Sequence, residues 1–261
     1  MKYKDILKDI SEYILSVFFP KRCIFCESII GPYDEICSDC EENLPWIDGE
    51  ICHYCGNMKD DCTCKKRHGH YYDGIISPLY FSGNVRKSIH SFKFRDEPQY
   101  AEVYAAMMNR IRIKEYPEIK FDYVTYIPMN SKQEKKRGYN QGRLLAKEVS
   151  KTSDIAFGDE LLIKLFETQT QHKCENWLER SGNLLGVFDV NPDYDINGKN
   201  ILLVDDVKTT GSTLNECSKM LYLNGAESVY CITASLVKSK KKNTDSKITE
   251  KEEGDKCSEQ K

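Results

Sequence analysis

The sequence predicts an α/β domain with a mainly parallel sheet, preceded by a small cysteine-rich module. Three observations carry this. Eight of the 12 cysteines fall between Cys23 and Cys64, in close pairs. Beyond residue 70, short apolar runs alternate with helical periodicities, the pattern of strands joined by crossover helices. Residues 200–213, NILLVDDVKTTGST, spell strand, acidic pair, small-residue loop and helix start. Ligands of parallel sheets sit at such a strand end.

The 261 residues divide, on composition, into a helical segment at 1–19, the cysteine module at 20–70, the α/β domain at 71–238 and a charged, disordered tail at 239–261. Hydrophobic residues make up 40% and the net charge is -3, so this is no polycation and any nucleic-acid contact must come from a local patch. No apolar run approaches a bilayer span. The first 20 residues are charged and periodic, unlike a signal peptide, so a cytoplasmic location is expected. Tyr3, Ile6, Leu7, Ile10, Ile14, Val17 and Phe18 form one helical face that Pro20 ends. Its polar face mixes Lys with Asp and Glu, which favours packing on the protein over lying on a membrane.

In the module the cysteines run Cys23-x-x-Cys26, Cys37-x-x-Cys40, Cys52-x-x-Cys55 and Cys62-x-Cys64. In a reducing compartment two such thiolate pairs complete a tetrahedral zinc shell, so two structural zinc ions are expected. Sequential pairing is the simplest and interleaved pairing stays open; redox-active pairs are the alternative, without the βαβ context they need. Gly56 suits the tight turn after Cys55. With few core-forming residues, the module would draw its folding energy from metal. Ten acids against six bases make it a poor phosphate binder and favour packing or a protein partner; Lys65, Lys66 and Arg67 are its one basic cluster. Cys217 and Cys231 read as core residues.

In the domain, 74–82 reads as a strand or hairpin arm, 85–94 as a short helix or turn ending near Lys93, and 99–114 as a helix buried through Ala101, Val103, Tyr104, Met107, Met108 and Ile111. Residues 121–128 form a strand closed by Pro128. A basic loop, 130–143, follows with Lys132, Lys135, Lys136, Arg137 and Arg143, then a helix through Leu144, Leu145 and Val149. Further strands are expected at 161–166, around Phe188, at 201–204 and at 228–237. Between the first two lies a long polar stretch of the kind that forms lids. After 201–204 a helix buries Leu214, Cys217 and Leu221 and stops at Gly225.

Asp205 and Asp206 suit the vicinal diol of a sugar. Lys208, Thr209, Thr210, Gly211, Ser212 and Thr213 offer hydroxyls and backbone N–H groups to a phosphate, with Gly211 supplying the turn at φ > 0. A 5-phosphorylated ribose carries both features. The stretch resembles the signature for phosphoribosyl pyrophosphate (PRPP) of type I phosphoribosyltransferases. A receiver-type acidic pocket also places an Asp pair after a strand, but does not account for 209–213.

Other motifs stand in order: the cysteine knuckles, Lys93 within FKF, Arg137-Gly138-Tyr139-Asn140-Gln141, then Gln171, Arg180, Asn183 and Phe188, then VDDVKTTGST. In this order they resemble the ComF family of competence proteins, whose C-terminal domain is similar to amidophosphoribosyltransferase domains. Cys174 and Trp177 depart from its pattern, which has leucine and a polar residue there. The resemblance, over roughly residues 18–237, implies a PRPP-binding domain serving uptake of single-stranded DNA. Asp205 and Asp206 would hold the ribose diol, 208–213 the 5-phosphate, and Arg137 the pyrophosphate with bridging magnesium. Gln171, Arg180 and Asn183 would form a lid. Single-stranded DNA and competence proteins such as a DNA-uptake helicase are the implied partners. Two alternatives stay open: a phosphoribosyltransferase acting on a small nucleophile, and a zinc-ribbon scaffold with a vestigial ribose-phosphate site.

Overall fold

The structure, a computed structural model, describes residues 20–64, 69–165 and 187–239. The expected N-terminal helix, the basic cluster at 65–67, the lid residues Gln171, Arg180 and Asn183, and all but the first residue of the expected tail lie outside these.

The domain is built on a parallel sheet. Its strands are β1 (Gly74–Ile76), β2 (Leu79–Tyr80), β3 (Tyr123–Tyr126), β4 (Ala156–Phe157), β7 (Asn200–Lys208) and β8 (Ser228–Leu236). The order is β1-β8-β7-β3-β4, with β2 also on β8. β5 (Leu162–Lys164) and β6 (Phe188–Val190) form a separate antiparallel pair. The helices are α1 (Ser38–Asn43), α2 (Gly83–Phe94), α3 (Tyr100–Glu115), α4 (Ser131–Arg137), α5 (Gln141–Lys151) and α6 (Ser212–Leu223).

Both faces of the sheet are covered, which is why Ile201, Leu202, Leu203 and Val204 are all apolar and buried. Leu202 and Val204 join one core with α2, α3 and α5. Ile201 and Leu203 join a second with Leu214, Cys217 and Leu221 of α6. All six predicted apolar positions of α3 are buried, as are Cys217 and Cys231. Gly225 turns the chain after α6 at φ +94°.

Three expectations need correction. Residues 74–82 are two short strands interrupted at Ser77-Pro78, both parallel to β8, not a hairpin arm. The basic loop is mostly helix: Asn130 caps α4 by accepting from the Lys132 N–H (3.0 Å), and Gly138 ends it at φ +86°. β7 runs nine residues, not four, because β8 pairs with it as far as Lys208↔Leu236.

The cysteine module has more apolar content than its sequence promised. Cys23, Ile24, Phe25, Leu44, Ile47 and Ile51 belong to the same core as Tyr104 and Met107 of α3. Phe25 meets the Tyr104 ring edge-on at 5.7 Å. The module is also strapped to the sheet edge by backbone bonds, Ile47 N–H to Pro78 O and Tyr80 N–H to Pro45 O (both 2.8 Å), and by Ile75 N–H to His53 O (2.8 Å). Shared burial predicts shared unfolding. Phe25→Ala should cost about 3–5 kcal/mol. Zinc release and loss of far-UV circular dichroism should stay coincident in a denaturant titration; a separate early zinc transition would show that the module unfolds alone.

Candidate functional site

Two centres can be built from the residues upward. The first is the metal pair. The sulfurs of Cys23, Cys26, Cys37 and Cys40 all lie within 4.8 Å of one another, as do those of Cys52, Cys55, Cys62 and Cys64. A tetrahedral zinc with bonds of ~2.3 Å sets its sulfurs roughly 3.8 Å apart, so both thiol sets fit two structural zinc ions. The grouping is the sequential one. The knuckles are alike: Glu27 N–H bonds Cys23 O (2.8 Å) and Gly56 N–H bonds Cys52 O (2.7 Å). Both turns need a left-handed residue, Glu27 at φ +64° and Gly56 at +79°.

The second is a cavity of about 230 Å³ at the carboxyl ends of β3 and β7. β7 and α6 bring Asp205, Asp206 and Thr213 to its lining; α4, its cap and α5 bring Arg137, Asn130, Gln141 and Gly142; Lys93, Lys164 and Phe188 also line it. The Asp206 N–H donates to Asp205 Oδ1 (2.9 Å). The Asp206 carboxylate pairs with Lys93 Nζ at 2.7 Å. Burial, reinforced by the Asp206 charge, pushes Asp205 up to about 7. Beyond β7, Gly211 stands at φ +80° and opens α6, whose first N–H groups have no side-chain cap from it. Thr210 Oγ1 accepts from the Ser212 N–H (3.3 Å).

Each residue of Arg137-Gly138-Tyr139-Asn140-Gln141 has a structural task. Arg137 ends α4 and donates to Gln141 Oε1 at 3.0 Å, with its guanidinium 5.1 Å from the Phe94 ring centroid. Among the described residues no carboxylate pairs with it, so the charge is free for an anion. Gly138 reverses the chain. Tyr139 donates to Phe92 O (2.6 Å), anchoring the turn to α2. Asn140 caps α5, accepting from the Arg143 N–H (3.2 Å) and donating to Ile127 O (3.1 Å). Buried Gln141 holds Arg137. At Gly142 a Cβ would stand 3.3 Å from the Asn140 Oδ1 that caps α5, a tight contact, so glycine leaves room for that cap.

The cavity thus gathers Asp205, Asp206, Thr213 and Arg137 from the residues singled out by sequence. Thr209, Thr210, Gly211 and Ser212 form the adjoining turn. Lys208 points elsewhere: it is buried and donates to Cys55 O at 3.0 Å, in the cysteine module. Arg143 is held bidentate by Asp159 (2.7 and 2.5 Å). Tyr139 is half-buried, with its ring tilted against Phe92 at 5.8 Å. Lys93, Lys164 and Phe188 were not picked as site residues. A lysine between two phenylalanines was the only local sign of Lys93, and nothing local marks Lys164.

The Asp pair sets a pH dependence. A carboxyl raised above its unfolded value of about 3.9 is stabilising when protonated. That contribution is lost as pH rises from about 4 through 7, leaving a full penalty above 7. Asp205→Asn should therefore raise the Tm at pH 8, each kcal/mol being worth roughly 2–4 °C. The gain should shrink at pH 6. Thermal melts without ligand showing an equal or larger gain at pH 6 would contradict this.

Comparison with known proteins agrees with the first centre. Residues 14–68 match the model of the double zinc ribbon domain. Competence protein ComFC of Bacillus subtilis is 26% identical over 228 residues, 78% of this chain and 89% of that protein. Competence protein F of Haemophilus influenzae is 29% identical over 226 residues, 81% of this chain and 95% of that protein. An adenine phosphoribosyltransferase crystal structure aligns at TM-score 0.37 and 14% identity, over 55% of this chain and 74% of that one. The strand order above, not that superposition, carries the α/β assignment. The resemblance to the ComF family read from the motifs therefore holds along most of the chain, double zinc ribbon in front and parallel α/β domain behind.

Proposed function

We propose that this chain is a cytoplasmic DNA-uptake factor whose α/β domain binds PRPP with magnesium. The observation that carries the reading is the division of charge in the cavity: the Asp205–Asp206 pair, with Lys93 on Asp206, and Arg137, with Thr213 from the first turn of α6 also in the lining. PRPP is divided in the same way. Its 2,3-diol would donate to the carboxylates, while its 5-phosphate would accept from the N–H groups and hydroxyls of Thr209, Thr210, Gly211, Ser212 and Thr213 and its pyrophosphate from Arg137. Lys93 is close enough to leave Asp206 for that pyrophosphate. Magnesium would bridge the anions. The competence names of the two relatives support the biological half, and among the described residues no helix is long and apolar enough to cross a membrane.

Single-stranded DNA would lie on α4, where Lys132, Lys135 and Lys136 are exposed and lack carboxylate partners among the described residues. The acidic zinc ribbon would face a protein such as a DNA-uptake helicase instead.

Calorimetry with magnesium and PRPP should show binding to the wild type. Asp205→Asn with Asp206→Asn should weaken it, each lost charged hydrogen bond costing about 1–3 kcal/mol. Equal affinities would contradict the assignment. In a polarisation assay, Lys135→Ala with Lys136→Ala should weaken single-stranded DNA binding and lower its salt slope by about 2. Unchanged affinity would place any DNA site elsewhere.

A further inference from the structure

Lys208 is the last residue of β7 and is buried, the residue as a whole being 8% exposed. Its hydrogen-bond partner is a neutral backbone oxygen, that of Cys55 (3.0 Å), and no carboxylate pairs with it among the described residues. A buried cation with one carbonyl for company is costly. Cys55 belongs to the second thiol cluster. Four thiolates around one divalent zinc leave two net negative charges, so the missing counter-charge is available there.

The same side chain touches the phosphate turn. A Cβ on Gly211 would stand 3.3 Å from Lys208 Cε and 3.6 Å from Tyr72 Oη. The Tyr72 hydroxyl is buried with no partner among the described residues, and its ring stacks on His70 at 4.8 Å. His70 in turn lies against Tyr54, between Cys52 and Cys55 (4.5 Å). The turn that follows Lys208 is thus backed by the knuckle of the second cluster.

We propose that Lys208 is the counter-ion of the second zinc–thiolate centre and the positioning residue through which that centre braces the phosphate turn. The bracing half rests on the PRPP reading above; the counter-ion half does not.

The test uses the full chain loaded with zinc, a chromogenic chelator and PRPP. The release phase lost in Cys62→Ser identifies the second centre. Lys208→Met should speed that phase about 10-fold or more and leave the other unchanged, as expected for removal of an outer partner of a metal site. Lys208→Arg, which keeps the charge, should restore slow release. Saturating PRPP should slow the phase in wild type and not in Lys208→Met, since coupling between two sites is reciprocal. Wild-type release from Lys208→Met overturns the counter-ion role. PRPP that binds by calorimetry yet leaves wild-type release unchanged overturns the bracing. Absence of PRPP binding removes the function proposed above, and the bracing with it, while the chelator rates still decide the counter-ion.

Discussion

Asp205 and Asp206 repel each other where β7 runs on past the end of β3, and the surroundings are arranged around that repulsion. The strand cannot separate them, because β8 pairs alongside it as far as Lys208. Asp205 is relieved by the Asp206 N–H and by a carboxyl shifted toward its protonated form; Asp206 is relieved by Lys93 from α2. Neither relief is as complete as a ligand with hydroxyls and a divalent cation would provide. The site is therefore a local loss of stability held in place by two well-packed cores, as expected where function outweighs local packing.

The zinc ribbon belongs to that holding structure. Its apolar residues complete the core beneath α3, and its backbone continues the hydrogen bonding of β1 and β2. Lys208 Nζ reaches it from the end of the same strand that carries the Asp pair. Two features that look independent along the chain, a cysteine module and the turn that follows the Asp pair, meet at one strand end.

Much of this was legible in the sequence, for physical reasons. Cysteine spacing encodes metal knuckles directly, and the sequential grouping followed. The helical period of α3 named its buried face, and the glycine at 211 announced a positive φ. What was not legible depended on partners distant in the chain. The length of β7 is set by β8. α4 has no apolar face to betray it, and only its caps, Asn130 and Gly138, were written locally. The pairing of Lys93 with Asp206, of Arg143 with Asp159 and of Lys208 with Cys55 joins residues whose neighbours in sequence say nothing of each other. Composition misjudged the ribbon because Ile24, Phe25, Leu44 and Ile47 are few for a core of their own, yet sufficient when α3 supplies the rest.

The measurement that bears most directly on this account is a crystal structure with magnesium and PRPP bound. The account predicts the ribose 2- and 3-hydroxyls about 2.6–3.2 Å from the Asp205 and Asp206 carboxylates, the 5-phosphate on the turn at 209–213, and Lys93 Nζ moved from Asp206 to the pyrophosphate. A ligand bound with its diol turned away from the Asp pair, or with Lys93 still on Asp206, would contradict it.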